Sequence, residues 1–232
     1  MRRTYGFVLT AAVLVATPAM ICAQGMDKSH DVAGGGVYVK GWTGAIDASA
    51  AKEGQTLSSA KLAPEGTGMR MTTGPAVAYW NPANTASGDY TIMATFAEPK
   101  FMNLNTHPHP YGIVIGGNDL GTDQQSYLYC AAYGNGNFIV RGFGPEPFQV
   151  NGRRPEANPA VHKAANTGEP VTQEIAISVK GDKVSCSING TVVGSYDKSA
   201  VVGTGKLKST NGVYGIRAAH NTDVVVTNFM KM

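Results

Sequence analysis

The sequence predicts an all-β protein, a sandwich of two antiparallel sheets. Three observations carry this reading. Apolar residues recur with period two over short runs. Gly, Asn, Asp and Pro break those runs at close intervals. No stretch beyond the first 23 residues sustains a 3.6-residue apolar stripe with helix caps. A dozen short strands at even spacing favour a sandwich over a barrel.

Taken in order, the strand candidates are Val37–Trp42, Met69–Thr73, Ala76–Trp80, Tyr90–Phe96, Tyr111–Gly116 and Ser126–Tyr133. They continue with Asn137–Phe143, Gln173–Lys180, Lys183–Asn189, Thr191–Tyr196, Val213–Ala219 and Asp223–Phe229. Turn chemistry joins several of them. Gly181-Asp182 separates Ile175, Ile177 and Val179 from Val184, Cys186 and Ile188, two cleanly alternating sets. Asn189-Gly190 is the dipeptide of a type I′ hairpin, whose positive φ angles match strand twist. Gly134-Asn135-Gly136 joins two more strands. From Gly144 to Pro170 the rhythm fails, with prolines at 145, 147, 155, 159 and 170. Segments of this length are often binding loops, and an ordered crossover between sheets is the preferred reading here.

The N-terminus reads as a secretory signal. Arg2 and Arg3 precede an apolar stretch from Phe7 to Ala19, and Ile21-Cys22-Ala23 offers a cleavage site before Gln24. That stretch falls short of the ~20 residues that span a bilayer, and no later one approaches it. Residues 1–23 are therefore expected to be a signal peptide, 24–36 a flexible lead-in ending in Gly34-Gly35-Gly36, and 37–232 a single β-sandwich domain. The expected location is secreted or periplasmic, with no membrane insertion after cleavage. Of 19 basic residues two sit in the leader, against 16 acidic ones in the chain. The mature protein is thus near neutral and has no electrostatic footprint for nucleic acid.

Cys22 would leave with the signal, which leaves Cys130 and Cys186. In an oxidising compartment they can pair in one way. Both also sit mid-strand among apolar neighbours, so two buried free thiols are the alternative.

Several blocks give the chain a family likeness. One is Gly74-Pro75-Ala76, Tyr79-Trp80-Asn81-Pro82 and Ser87-Gly88-Asp89-Tyr90 leading into Ala94-Thr95-Phe96. Another is His107-Pro108-His109-Pro110-Tyr111-Gly112 running into Ile115-Gly116-Gly117-Asn118-Asp119-Leu120. Tyr127-Leu128-Tyr129, Asn189-Gly190-Thr191 and Gly215-Ile216-Arg217 with His220-Asn221 complete the set. Together, over residues 66–230, they resemble secreted bacterial proteins of the concanavalin A-like lectin/glucanase superfamily, of laminin-G-like and 3-keto-disaccharide-hydrolase type. The resemblance implies a jelly-roll sandwich whose concave face commonly holds a glycan. Fold alone does not determine function.

Retaining glycosidases of that superfamily place two carboxylates on one strand face in an E-x-D-x-x-E pattern, ~5–5.5 Å apart. The chain has no such pattern. Jelly-roll alginate lyases carry a Tyr-Phe-Lys-x-Gly-x-Tyr strand; Tyr127 to Tyr133 imitates it, but Tyr129 stands in place of the lysine and the companion motifs are missing.

What remains points to binding. Tyr127, Tyr129 and Tyr133 share one strand face while Leu128, Cys130 and Ala132 share the other, which suits a core. Tyrosines on an outer face can lie against sugar C–H faces, or simply cover the sheet beneath the Gly144–Pro170 segment. Arg141 on the next strand adds donors for hydroxyls or a carboxylate. His107 and His109, alternating on a proline-stiffened stretch, point the same way; Asp119 or His220 would be a third ligand if they held a metal. No dense cluster accompanies the pair, so loop hydrogen bonding is preferred and no metal is assigned. Asn118 to Asp123 supplies oxygen ligands for calcium, but lacks the full loop spacing and reads as a turn. Trp42 and Trp80 read as packing anchors and Arg153-Arg154 as a solvated loop tip.

The expectation is a carbohydrate-binding, lectin-like module without a catalytic carboxylate pair and without a required cofactor. Its glycan or polysaccharide ligand would meet His107, His109, Tyr111, Asn118, Asp119, Tyr127, Tyr129, Arg141 and His220. The alternatives are a glycoside-processing enzyme of the 3-keto-disaccharide hydrolase type, built on His107, His109 and Asp119, and a structural or interaction domain of the cell envelope. Oligomeric state is not legible.

Overall fold

The computed structural model describes Met1 and residues 28–232. The expected signal peptide and the first residues of the lead-in lie outside the described residues. The strands are β1 (Gly36–Val37), β2 (Thr43–Ile46), β3 (Ala60–Glu65), β4 (Gly68–Thr73), β5 (Val77–Ala86), β6 (Tyr90–Glu98), β7 (Tyr111–Asn118) and β8 (Ser126–Ala132). Then come β9 (Asn137–Phe143), β10 (Pro147–Gln149), β11 (Glu156–Ala157), β12 (Val171–Lys180), β13 (Lys183–Ile188), β14 (Thr191–Asp197), β15 (Gly212–Ala218) and β16 (Asp223–Lys231). Two short helices, α1 (Ala48–Lys52) and α2 (Lys198–Val201), punctuate them. No helix among the described residues is long and apolar enough to cross a membrane.

The strands form two sheets. One has the order β1-β3-β4-β16-β6-β12-β13-β14; the other runs β10-β9-β8-β7-β15-β5-β2, with β11 also beside β9. All pairs are antiparallel except β1 with β3. Alternation decides what each strand buries. In β6 and β12 every second side chain is buried, so one face of the first sheet enters the core and the other meets solvent. In β7 and β8 nearly every residue is buried, because the second sheet is covered on both faces. Leu128, Cys130 and Ala132 enter the inter-sheet core with Ile113, Phe96 and Ile177, as their strand pattern predicts. Tyr127, Tyr129 and Tyr133 form a separate cluster on the outer face with Val114 and Ile139.

Cys130 of β8 and Cys186 of β13 form a disulfide across that core, with Cα atoms 6.0 Å apart. The bond ties the two layers together. The hairpin at Asn189-Gly190 is also as expected, both residues having positive φ (49° and 79°).

Three expectations need correction. Val37–Trp42 is not one strand: Gly41 at φ 79° turns the chain, Trp42 N–H bonds the Val39 carbonyl, and the sheet partner begins at Thr43. Strand β3 was missed because Pro64 interrupts it, although Ala60 and Leu62 alternate into the core. The Gly144–Pro170 segment is a crossover between the sheets, but it carries β10 and β11, which pair with β9 at Gln149–Arg141 and Glu156–Phe138. Arg153 and Arg154 are exposed, and Trp80 is buried while Trp42 packs on Phe229.

Candidate functional site

Register builds the site. Across the second sheet, Val114 of β7 faces Tyr129 of β8, Tyr129 faces Arg141 of β9, and Arg141 faces Gln149 of β10. This cross-strand row therefore lies on one face, the outer one. Here the sheet surface and the β9–β10 region enclose a cavity of about 340 Å³. Tyr129, Tyr133, Arg141 and Gln149 line it, with His109 and His220 at one end. A second cavity of about 540 Å³ adjoins it, sharing Asp47, Phe143 and Pro147. The two cavities lie side by side along this outer face.

Arg141 is the chemically distinctive group. One guanidinium nitrogen donates to the Arg153 carbonyl at 2.8 Å. Its Nε is buried and has no hydrogen-bond partner, and among the described residues the side chain forms no ion pair. A buried donor without a partner costs ~1–3 kcal/mol. Tyr133 beside it is held neutral: burial pushes its hydroxyl up to about 12, against a smaller lowering by Arg141.

Arg217, part of the Gly215-Ile216-Arg217 block, is a buried organiser of this face. On β15 it projects to the same outer face, 7% exposed, and both its terminal nitrogens donate to Asp47, at 2.7 and 2.6 Å. It also donates to the Tyr127 hydroxyl at 3.0 Å and lies over the rings of Tyr129 and Phe143, at 5.1 and 5.2 Å. Asp47 occupies the N-cap position of α1 but makes no cap bond, because its carboxylate is committed to Arg217. An arginine in an otherwise apolar strand was the available signal; its partner, 170 residues away, left none.

The histidines come together. The β7–β15 ladder pairs Tyr111 with Ala218 and extends by a bond from Ala219 N–H to the Pro110 carbonyl, which sets His109 against His220. His109 Nδ1 lies 2.6 Å from the His220 carbonyl, and its Nε2 lies 2.7 Å from Nε2 of His107. The His109 and His220 rings are in contact, with centroids 3.9 Å apart. His107 and His109 do point the same way, and His220 rather than Asp119 is the third neighbour.

The other expected residues are placed elsewhere. Tyr111 has the parity of Ile113 and Ile115, so it enters the inter-sheet core and stacks on Phe96, fully buried. Asn118 donates to the carbonyls of Gly116 and Asn211, and Asp119 pairs with Lys208. Asp119 is thus not beside His107 and His109, and the enzyme constellation built on those three does not assemble. The same bonds make Asn118–Asp123 a turn, with the Thr122 hydroxyl donating to the Asp119 carbonyl. Tyr127 is 1% exposed beneath Arg217 and Phe143, and Tyr129 is 8% exposed. The tyrosine face is accordingly a covered one, with Tyr129 and Tyr133 rather than Tyr127 reaching the cavity.

No protein-family model matches the sequence, and no curated protein matches it. Solved structures do. A carbohydrate-binding module, CBM66, from Bacillus subtilis is similar with a TM-score of 0.55 at 9% identity, over 84% of this chain and 98% of that one. A Bacillus subtilis protein of unknown function with a galectin-like fold has a TM-score of 0.55 at 12% identity, over 83% of this chain and 89% of that one. The fold is a jelly-roll β-sandwich of two antiparallel sheets. At these identities the likeness concerns fold.

Proposed function

We propose that this protein is a carbohydrate-binding β-sandwich that takes a glycan chain along the outer groove of the second sheet. The carrying observation is the Arg141 guanidinium, unpaired by any carboxylate among the described residues and set between Tyr129 and Gln149 in one cross-strand row. A planar fork of donors suits a sugar carboxylate or vicinal hydroxyls, so the reading covers neutral and mildly acidic glycans. Tyr129 and Tyr133 border the same cavity and add aromatic edges and hydroxyls to its wall. The adjoining cavity gives room for further residues of an oligosaccharide. The similarity to a carbohydrate-binding module supports the reading at the level of fold. Export through the N-terminal signal would bring the domain to extracellular or envelope polysaccharides.

Glycan-array screening followed by calorimetry tests the proposal. It expects saturable binding to a defined glycan without turnover, weakened at least tenfold by Arg141→Ala. Absence of binding to any glycan would sink it and favour a structural envelope domain. A second reading, a glycoside-processing enzyme of the 3-keto-disaccharide hydrolase type, draws on His109 and His220 lining the same cavity. Product release from a glycoside, lost on His109→Ala, would establish that reading instead.

A further inference from the structure

We propose that His107, His109 and His220 form a binding site for one divalent transition metal ion of the zinc class. The inference is independent of the glycan reading. Nitrogen ligand atoms from all three rings lie within 4.8 Å of one another. Three imidazoles on a single ion are a common protein ligand set for zinc, with Zn–N bonds of about 2.0–2.1 Å.

The chain prepares His109 for this role. Its Nδ1 lies 2.6 Å from the His220 carbonyl and 2.7 Å from the Asn105 side-chain amide nitrogen, and these contacts fix the orientation of the ring. The same orientation aims its Nε2 at Nε2 of His107, 2.7 Å away, so one of these two nitrogens donates to the other in the metal-free chain. Tetrahedral coordination needs ligand nitrogens about 3.3 Å apart for bonds of that length. His107 would move by about half an ångström, and the ring that carries the shared proton on Nε2 would shift it to its own Nδ1, with no net proton released. The movement is available because His107 stands exposed on an irregular segment, whereas His109 and His220 are half-buried.

A second observation lies next to two of the histidines. His107 and His109 also line a small enclosed space of about 10 Å³, the size of a single water. The buried carboxylate of Glu98 lines it too, and its Oε2 has no hydrogen-bond partner among the described residues. A divalent cation held by three neutral imidazoles is a net positive charge, which would favour ionisation of this nearby buried carboxyl and be partly offset by it.

The test is calorimetric titration of Zn²⁺ into tag-free protein stripped with a chelator, followed by Co²⁺ binding read by its visible absorption. One ion per chain with a sub-micromolar Kd is expected, with the intense visible bands of tetrahedral Co²⁺. His107→Ala and His220→Ala should each weaken binding at least tenfold. His162→Ala, whose ring bonds the Thr172 carbonyl elsewhere on the surface, should leave it unchanged. His107 is exposed, so its replacement leaves the fold intact and keeps the test decisive. No saturable binding, more than one ion per chain of equal affinity, or wild-type affinity in the His107 variant would each overturn the site.

Discussion

Arg217 holds Asp47 with two parallel hydrogen bonds, 2.7 and 2.6 Å long, and the pair closes the outer face of the second sheet. The arginine is almost wholly buried while the aspartate keeps partial contact with solvent. Removing the carboxylate would strand a buried cation. Asp47→Ala is expected to cost ~3 kcal/mol of stability, at the low end for a broken buried pair because Asp47 is partly hydrated. The paired change Asp47→Ala with Arg217→Met should recover much of that loss, since an apolar side chain carries no desolvation cost. Urea denaturation of the single and double variants measures both.

Arg141 gives the matching prediction for binding. Lysine retains the charge but not the planar fork, so Arg141→Lys should weaken glycan binding about tenfold while the unfolding midpoint stays unchanged. Calorimetry against the glycan identified on the array, with a urea midpoint alongside, checks it. Restored wild-type affinity would show that charge alone suffices.

Glu98 predicts a pH dependence. Burial raises its carboxyl from 4.5 to about 7, opposed in part by the Met102 backbone N–H and the Tyr111 hydroxyl, with nearby Asp223 adding to the rise. Lys100, His107 and His109 face the same small cavity. The folded chain thus binds this proton more tightly than the unfolded one. The contribution to stability is full below about pH 4.5, falls as pH rises toward 7, and amounts to ~3 kcal/mol once lost. Urea midpoints of metal-free protein across pH 4–8 should show this decline, and Glu98→Gln should abolish it.

The Cys130–Cys186 bond closes a loop with a sequence separation of 56 residues. Constraint of the unfolded chain by a loop of that length is worth ~4 kcal/mol in the chain-entropy model, and measured values of ~2–4 kcal/mol are typical. The Cys130→Ser, Cys186→Ser double variant should unfold at correspondingly lower urea, with unchanged strand content by far-ultraviolet circular dichroism. An unchanged midpoint would show that the bond adds nothing to stability.

Much of the fold was legible because strand alternation is local. The faces of β8 followed from Tyr127-Leu128-Tyr129-Cys130 alone, and the hairpin at Asn189-Gly190 from a backbone preference of two residues. The errors have local causes as well. Gly41 and Pro64 interrupt patterns whose tertiary partners hold them in the sheet regardless. Tyr111 was assigned to a ligand although its parity with Ile113 places it in the core.

By itself the sequence determined the fold class, the turns, the inward face of each strongly alternating strand and the pairing of two histidines on one extended segment. Each of these rests on interactions among residues a few positions apart. The tertiary structure alone decided that His220 rather than Asp119 joins His107 and His109, that Asp47 neutralises Arg217, and that Arg141 has no carboxylate partner among the described residues. Those outcomes depend on which strands become neighbours. The β7–β15 register is set by burial of whole faces between strands about a hundred residues apart, and no short pattern encodes it.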